Sequence, residues 1–247
     1  MYNFFVDNTS VLDNGYTISG KDYNHIKNVL RMKIGEEVLV TYNGVSDLCA
    51  ITSFENSSVV LTVKQRNFNN TELPVEVYLF QGLPKSDKLE LIIQKAVELG
   101  VKEIIPVEMK FCIAKIEEKK KAQKLERFNL ISESAAKQSK RNIIPKVSSV
   151  LTFKQAVEYA KRLDLFILPY ESANGTIDTK KIFSKIKKGM KIGVMIGAEG
   201  GFSDEEVAYA KENGADVITL GKRILRTETA SITTLSAIML YSELNFD

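Results

Sequence analysis

The chain has no tryptophan, one histidine and two cysteines. No apolar run approaches the ~20 residues that a membrane-spanning helix needs. With only Cys49 and Cys112, a disulfide framework and most zinc sites are excluded, and both thiols read as small buried apolar residues. A single imidazole, His25, removes His-rich metal sites and would make any Ser-His-Asp triad depend on one position. No metal is expected. The opening MYNFFVDNTS has neither a basic n-region nor an apolar h-region, so a soluble protein of the cytoplasm is expected, with no membrane partner. Carboxylates, hydroxyls, Lys and Arg, the backbone or a cofactor must carry the chemistry. Otherwise the composition is ordinary. The 247 residues, 44% hydrophobic and 26% charged, suffice for one or two domains with real cores, and disordered or fibrous classes are out.

The net charge of +3 hides an asymmetry. Residues 1–72 hold six Lys+Arg against eight Asp+Glu, net −2, which leaves +5 for the remainder. The stretch Lys137 to Lys146 (KQSKRNIIPK) has four basic residues and no acid. It reads either as a solvated helix end or as a phosphate-binding patch, and charge alone does not decide.

Residues 1–70 read as mostly β. Glu37–Tyr42, Asp47–Phe54 and Val59–Lys64 are strand-like, and Asn43-Gly44 is a hairpin turn signal because both residues tolerate positive φ. One helix is expected from Asp22 to Arg31, giving a small barrel-like β domain, and the polar, Asn-rich Arg66–Pro74 is the candidate linker. Beyond Pro74 strands and helices alternate. Strand candidates are Val75–Phe80, Glu103–Val107, Leu163–Leu168, Lys191–Ile196 and Asp216–Leu220. Leu89, Ile92, Ile93, Ala96 and Val97 form an amphipathic stripe that ends at Gly100. Further helices are expected at Lys119–Lys140, Asp204–Asn213 and Thr229–Leu244. This alternation argues for a mostly parallel α/β sheet. The domains are therefore placed at 1–72 and 73–247.

Two strand ends stand out. After the strand ending at Ile196 comes Gly197-Ala198-Glu199-Gly200-Gly201-Phe202, and then Ser203 and Glu206 at capping-box spacing. Glycines before a helix let backbone N–H groups approach a ligand, yet the run is neither a Walker A loop nor GxGxxG. After the next strand comes Leu220-Gly221-Lys222-Arg223-Ile224-Leu225-Arg226-Thr227-Glu228-Thr229, which mixes aliphatic walls with polar groups. Leu168-Pro169-Tyr170-Glu171 is a third such edge. Open α/β sheets bind ligands at strand carboxyl ends, so all three can face one pocket for a flat, amphiphilic molecule. Each loop read alone is equally a plain turn or a salt-bridged helix start.

IGAEGGFSDEEV followed by LGKRILRTETASITTLSAI closely resembles the 16S rRNA (uracil-N3)-methyltransferases, a family of the SPOUT superfamily. LPKSDKLELIIQKAVELGVKEIIPV, with Lys85, Asp87, Gln94, Lys95 and Glu98, extends the resemblance. So does ERFNLISESAAKQSKRNIIPKV, with Glu133, Gln138, Arg141 and Pro145. Near the start, His25, Val29-Leu30-Arg31 and Gly35-Glu36 resemble the family's RNA-contacting β domain. Where the family carries a basic residue before the opening FFV, this chain has Tyr2-Asn3 ahead of Phe4-Phe5.

The resemblance implies a PUA-like N-terminal domain and a C-terminal α/β domain whose end threads into a trefoil knot. It also implies S-adenosylmethionine as methyl donor, a homodimer, and N3-methylation of 16S rRNA, the family target being uridine 1498, within the small ribosomal subunit. The implied cofactor residues are Leu168, Tyr170, Ile196, Gly197, Glu199, Gly200, Leu220, Gly221, Ile224, Leu225 and Thr229, with the adenine edge read by the backbone of 220–225. Arg226 is assigned to stabilise the uracil anion and Glu228 to orientation or proton transfer. RNA contacts fall to His25, Arg31, Lys85, Lys137, Gln138 and Arg141, although a lone histidine on a partly apolar helix is more often structural. Two rivals remain: a non-catalytic RNA-binding assembly factor, and a related enzyme that methylates a ribose hydroxyl or another base.

Overall fold

A computed structural model describes residues 1–85, 87–113, 117–171 and 175–246, the side chains of 118 and 175–177 aside. The chain forms two compact units, one of residues 1–72 with 136–144 and the other of 73–135 with 145–247. Among the described residues no helix is long and apolar enough to cross a membrane.

In the first unit, β1 (Asn3–Phe5), β2 (Val11–Leu12) and β3 (Gly15–Ser19) precede a short α1 (Gly20–Asn24). Then come β4 (Glu37–Tyr42), β5 (Val45–Phe54) and β6 (Ser58–Asn69). They make one sheet in the order β1-β4-β5-β6-β3-β2, antiparallel except where β1 lies parallel to β4. The β4–β5 hairpin turns at Asn43 and Gly44, both at positive φ (47° and 80°), as a two-residue turn matched to strand twist requires. Phe4, Ile18, Ile26, Val40, Cys49 and Leu61 are among the residues packed in its core. Each such side chain contributes roughly 1.5–3 kcal/mol by leaving water. The expected Asp22–Arg31 helix is instead α1 followed by a π-helical turn at His25–Val29, and the chain leaves it through Arg31 at φ 54°. β6 also runs four residues into the expected linker, because Arg66 Nη1 is anchored on buried Asp47 at 2.7 Å and the N–H of Asn67 donates to the same carboxylate at 2.8 Å.

The inclusion of residues 136–144 in this unit has a polar cause. Asn142 donates to Ser46 Oγ (2.9 Å) and to the Asn69 carbonyl (2.8 Å), and its own oxygen accepts from the N–H of Thr71 (2.8 Å). Arg141 is 2% exposed, with its guanidinium on the Glu72 carboxylate, and its carbonyl accepts from Asn3 Nδ2 at 3.0 Å. Its place among the expected RNA contacts is therefore corrected: a buried, paired guanidinium has no face left for a phosphate. Lys137 is half-buried and donates to both Asp22 oxygens at 3.1 Å, while Gln138, His25 and Arg31 lie exposed.

The second unit begins with β7 (Glu76–Gly82), α2 (Lys88–Glu98), β8 (Glu103–Glu108) and α3 (Glu118–Ser139), whose last turn belongs to the first unit. It continues with β9 (Lys146–Val147), β10 (Leu151–Thr152), α4 (Phe153–Ala160), β11 (Leu165–Pro169) and α5 (Gly175–Phe183). Last come β12 (Lys191–Ile196), α6 (Asp204–Glu212), β13 (Asp216–Ile218) and α7 (Thr227–Phe246). Every pairing in this sheet is parallel, in the order β10-β8-β7-β12-β11-β13, with β9 also on β8. β7 and β12 are neighbours, but their next strands lie on opposite sides, which makes a topological switch point. Strands buried on both faces read as continuous apolar runs, which is why Val77–Phe80 and Ile192–Ile196 were legible as strands. The apolar stripe of α2 is fully buried, and the helix packs against α7.

Candidate functional site

A cleft of about 270 Å³ opens at the carboxyl ends of β11, β12 and β13. The three strand-end loops singled out in the sequence all reach it, and the chain placed them through strand order alone. Pro169, Tyr170 and Glu171 come from the end of β11, Ile196–Phe202 from that of β12, and Thr219–Gly221 with Arg223–Leu225 from the loop after β13. Thr227 and Ala230 close it from the first turns of α7.

Two loops are fixed by local bonds. Gly201 (φ 68°) donates its N–H to the Ala198 carbonyl at 2.9 Å, and this turn folds back on Gly197. A Cβ at Gly197 would stand 2.9 Å from the Gly201 Cα, so glycine there permits loop closure as well as ligand approach. A valine at 197 would therefore disturb the fold as well as the cleft. Behind the loop, Ser203 and Glu206 form the capping box of α6, with Ser203 N–H to Glu206 Oε2 at 2.9 Å. The second Glu206 oxygen accepts from the N–H of Lys110 at 2.8 Å.

Under the cleft lies a polar network that the sequence reading missed. Thr227 Oγ1 donates to the Gly197 carbonyl at 2.6 Å and accepts from Gln81 Nε2 at 2.9 Å. Ser231 Oγ meets Gln81 Oε1 at 2.5 Å, and Gln81 Nε2 also reaches the Gly82 carbonyl at 3.0 Å. Gln81, Thr227 and Ser231 are buried, so the bonds join β7, the β12 loop and α7 in a low-dielectric interior where unpaired groups are costly. The available signal was a glutamine ending an apolar strand, with Thr and Ser four apart on an apolar helix.

Charge at the site centres on Lys88, also unanticipated. Its ammonium lies 3.1 Å from Glu199 Oε1 and 3.7 Å from Glu228 Oε2. Glu199 Oε1 accepts the N–H of Lys85 as well, at 2.9 Å. Burial pushes the Glu199 carboxyl up, but the N–H groups of Lys85 and of Glu199 itself, with the Lys88 ammonium, outweigh it and hold the group below its ordinary value. Glu228 Oε2 is buried and, among the described residues, accepts no hydrogen bond. A lysine opening a helix opposes the helix dipole, and that was the signal available for Lys88.

Several expected residues sit elsewhere. Leu168 is fully buried in the core beneath the cleft, because in a strand covered on both faces its side chain belongs to the packing, and the lining starts at Pro169. Thr229 is exposed and turned off the lining, its place taken by Thr227 and Ala230 at helical spacing. Arg226 is exposed and outside the lining, where Arg223 stands instead. Tyr170, Ile196, Gly197, Glu199, Gly200, Leu220, Gly221, Ile224 and Leu225 do line it. Cys49 is fully buried and Cys112 half-buried, both thiols raised by burial, Cys49 to about 12. Among the described residues no group of three or more His, Cys, Asp or Glu is placed to hold a metal.

Comparison with known proteins places this arrangement. Residues 71–239 match the model of an RNA methyltransferase domain, and residues 18–64 that of an RNA methyltransferase PUA domain. The first unit is thus the PUA-like domain and the second the α/β methyltransferase domain. Ribosomal RNA small subunit methyltransferase E of Bacillus subtilis (strain 168) is 38% identical over 233 residues, 93% of this chain and 91% of that one. The protein of the same name from Mesomycoplasma hyopneumoniae (strain 232) is 34% identical, covering 94% and 96%. A crystal structure of that enzyme from Neisseria gonorrhoeae bound to S-adenosyl methionine superposes with a TM-score of 0.80 at 29% identity, covering 97% of each chain. The chain belongs to the RNA methyltransferase family that includes these small-subunit rRNA methyltransferases E.

Proposed function

We propose that this enzyme methylates N3 of a uracil in 16S rRNA, the family's uridine 1498, with S-adenosylmethionine as donor. The observation that carries the reading is the cleft itself, where strand-end backbone, aliphatic walls and charge converge. Its residues fit the cofactor. Ile196, Leu220 and Leu225 give a flat ring apolar walls, the backbone of 219–225 gives an adenine edge hydrogen-bonding partners, and Glu171 and Glu199 against Arg223 favour a molecule of net positive charge. Bound there, S-adenosylmethionine supplies an electrophilic methyl group on a sulfonium.

The chain's own residues do the rest. Uracil N3 carries a proton that must leave before the nitrogen can attack the methyl carbon. Glu228, whose buried Oε2 faces the Lys88 ammonium at 3.7 Å and accepts no hydrogen bond among the described residues, receives or orients that N–H, and exposed Arg226 offsets the negative charge that develops on the base. Exposed His25, Arg31, Lys85 and Gln138 are the RNA contacts we retain from the sequence, and Lys137 contributes only what its bond to Asp22 leaves over.

The enzyme acts as a homodimer in the cytoplasm. Supporting this, α7 leaves Leu240 and Leu244 exposed, and Ile224 at the cleft mouth is 82% exposed. The trefoil knot is supported by the path of the chain, which leaves β13 at the sheet edge and enters α7 beside Gln81 on β7.

The test is to treat unmethylated small subunits with enzyme and labelled cofactor, digest the rRNA, and identify the product nucleoside by mass spectrometry. N3-methyluridine supports the reading, whereas a ribose-methylated or other methylated nucleoside, or no product despite calorimetric cofactor binding, sinks it. Arg226→Ala and Glu228→Gln proteins with unchanged turnover would remove the two assigned roles.

A further inference from the structure

Lys88 joins the cleft wall to the first turn of α7 through charge. Glu199 lines the cleft, Glu228 opens α7, and the Lys88 ammonium lies within 3.1 Å of the first carboxylate and 3.7 Å of the second. The arrangement is not an ordinary surface ion pair. Glu228 Oε2 is buried and, among the described residues, accepts no hydrogen bond, so the ammonium is the charge that compensates this partly buried carboxylate, and removing the cation is disfavoured. Lys88 also begins α2, where the helix dipole repels a cation, so the two carboxylates hold it there against its own helix. The stem of α2 is locked by the burial of Leu89, Ile92 and Ile93, which makes the ammonium's base rigid.

We propose that Lys88 is a positioning residue for methyl transfer: shared between Glu199 and Glu228, it fixes the Glu228 carboxylate in the first turn of α7, beside the cleft, and couples it to the cofactor wall. This rests on the role given above to Glu228. Removing the ammonium lets Glu228 swing away, and methyl transfer slows while the cleft still binds cofactor. Arginine keeps the charge and can span both carboxylates, whereas methionine keeps only the stem.

The experiment compares Lys88→Met, Lys88→Arg, Glu228→Gln and Lys88→Met/Glu228→Gln. The first readout needs no activity and uses the full chain without cofactor: urea midpoints by circular dichroism. Lys88→Met should lower the midpoint, and adding Glu228→Gln should restore it, because the double variant leaves no uncompensated charge. The second readout is turnover on small subunits with S-adenosylmethionine, beside cofactor affinity by calorimetry. Lys88→Met should lose about 100-fold in kcat with cofactor Kd within about threefold, as expected when a group acting in the transition state is misplaced. Lys88→Arg should recover most of that loss, and the double variant should be no slower than Glu228→Gln alone. Additive midpoints, unchanged kcat in Lys88→Met, or a loss confined to cofactor affinity would each overturn the proposal. Should the wild type make no methylated nucleoside, the function fails, while the midpoint cycle still decides the coupling.

Discussion

Replacing Thr227 by valine removes one hydroxyl and almost no volume, which isolates the network under the cleft. Thr227 is 4% exposed; its hydroxyl donates to the Gly197 carbonyl at 2.6 Å and accepts from Gln81 Nε2 at 2.9 Å. Each of the two bonds is worth about 1 kcal/mol net, and burying the deserted groups adds about 1–3 kcal/mol in all, so the loss should come to about 3–5 kcal/mol. That is a large part of the ~5–15 kcal/mol that holds a domain together. Because Gly197 begins the loop after β12 and lines the cleft, cofactor affinity should fall together with stability. Thr227→Ser keeps the hydroxyl and should stay within about 1 kcal/mol of wild type. Urea unfolding followed by circular dichroism gives the first quantity, and calorimetric titration with S-adenosylmethionine the second. A Thr227→Val protein within about 0.5 kcal/mol of wild type, binding cofactor normally, would refute the claim that this network holds the site.

Arg141→Ala should cost about 3 kcal/mol in thermal or chemical unfolding, since it strips a buried partner from Glu72; undiminished stability with weakened RNA binding would return Arg141 to the RNA surface. Gly197→Ala pushes a Cβ against the Gly201 backbone and should both destabilise the second unit by about 1–3 kcal/mol and weaken cofactor binding; a wild-type melting curve would contradict the close approach. Burial first, then the bond to Asp47, pushes the Tyr16 phenol up to about 12. Its folded value therefore exceeds the unfolded one near 10, so the stability it confers is complete below that pH and declines as pH rises toward 12. Phenolate absorbance beside unfolding midpoints across that window should show this, and a Tyr16→Phe protein with the same alkaline decline would refute it.

Much of the second unit was readable because its signals are local. A parallel strand buried on both faces is an unbroken apolar run, and a capping box such as Ser203 to Glu206 spans three residues, so neither depends on distant chain. The three cleft loops followed, since a parallel sheet gathers its carboxyl ends on one edge. What failed was decided by distant partners. Arg141 looked like a phosphate ligand until Glu72, far away in sequence, took its guanidinium. Lys88 went unread because Glu199 and Glu228 lie more than a hundred residues further on. Leu168 and Thr229 missed by one or two positions, since which side chain faces a cleft depends on strand phase and helix start. The π-helical turn at His25–Val29 has no periodic pattern of its own and read as ordinary helix.

The discontinuous make-up of the first unit bears on how the protein is born. A chain emerging from its N-terminus presents β1 to β6 early, with Asp47, Tyr16 and Arg66 already able to meet. Ser46, Asn69, Thr71 and Glu72 must wait for Arg141 and Asn142, which are made only after β7, α2, β8 and α3. The barrel-forming half thus stays unsealed through more than half of synthesis, and its completion is timed by the domain that carries the chemistry. A fragment stopping at Glu72 would keep its sheet while leaving a carboxylate and several amide partners bare, and supplying residues 136–144 in trans should tighten it.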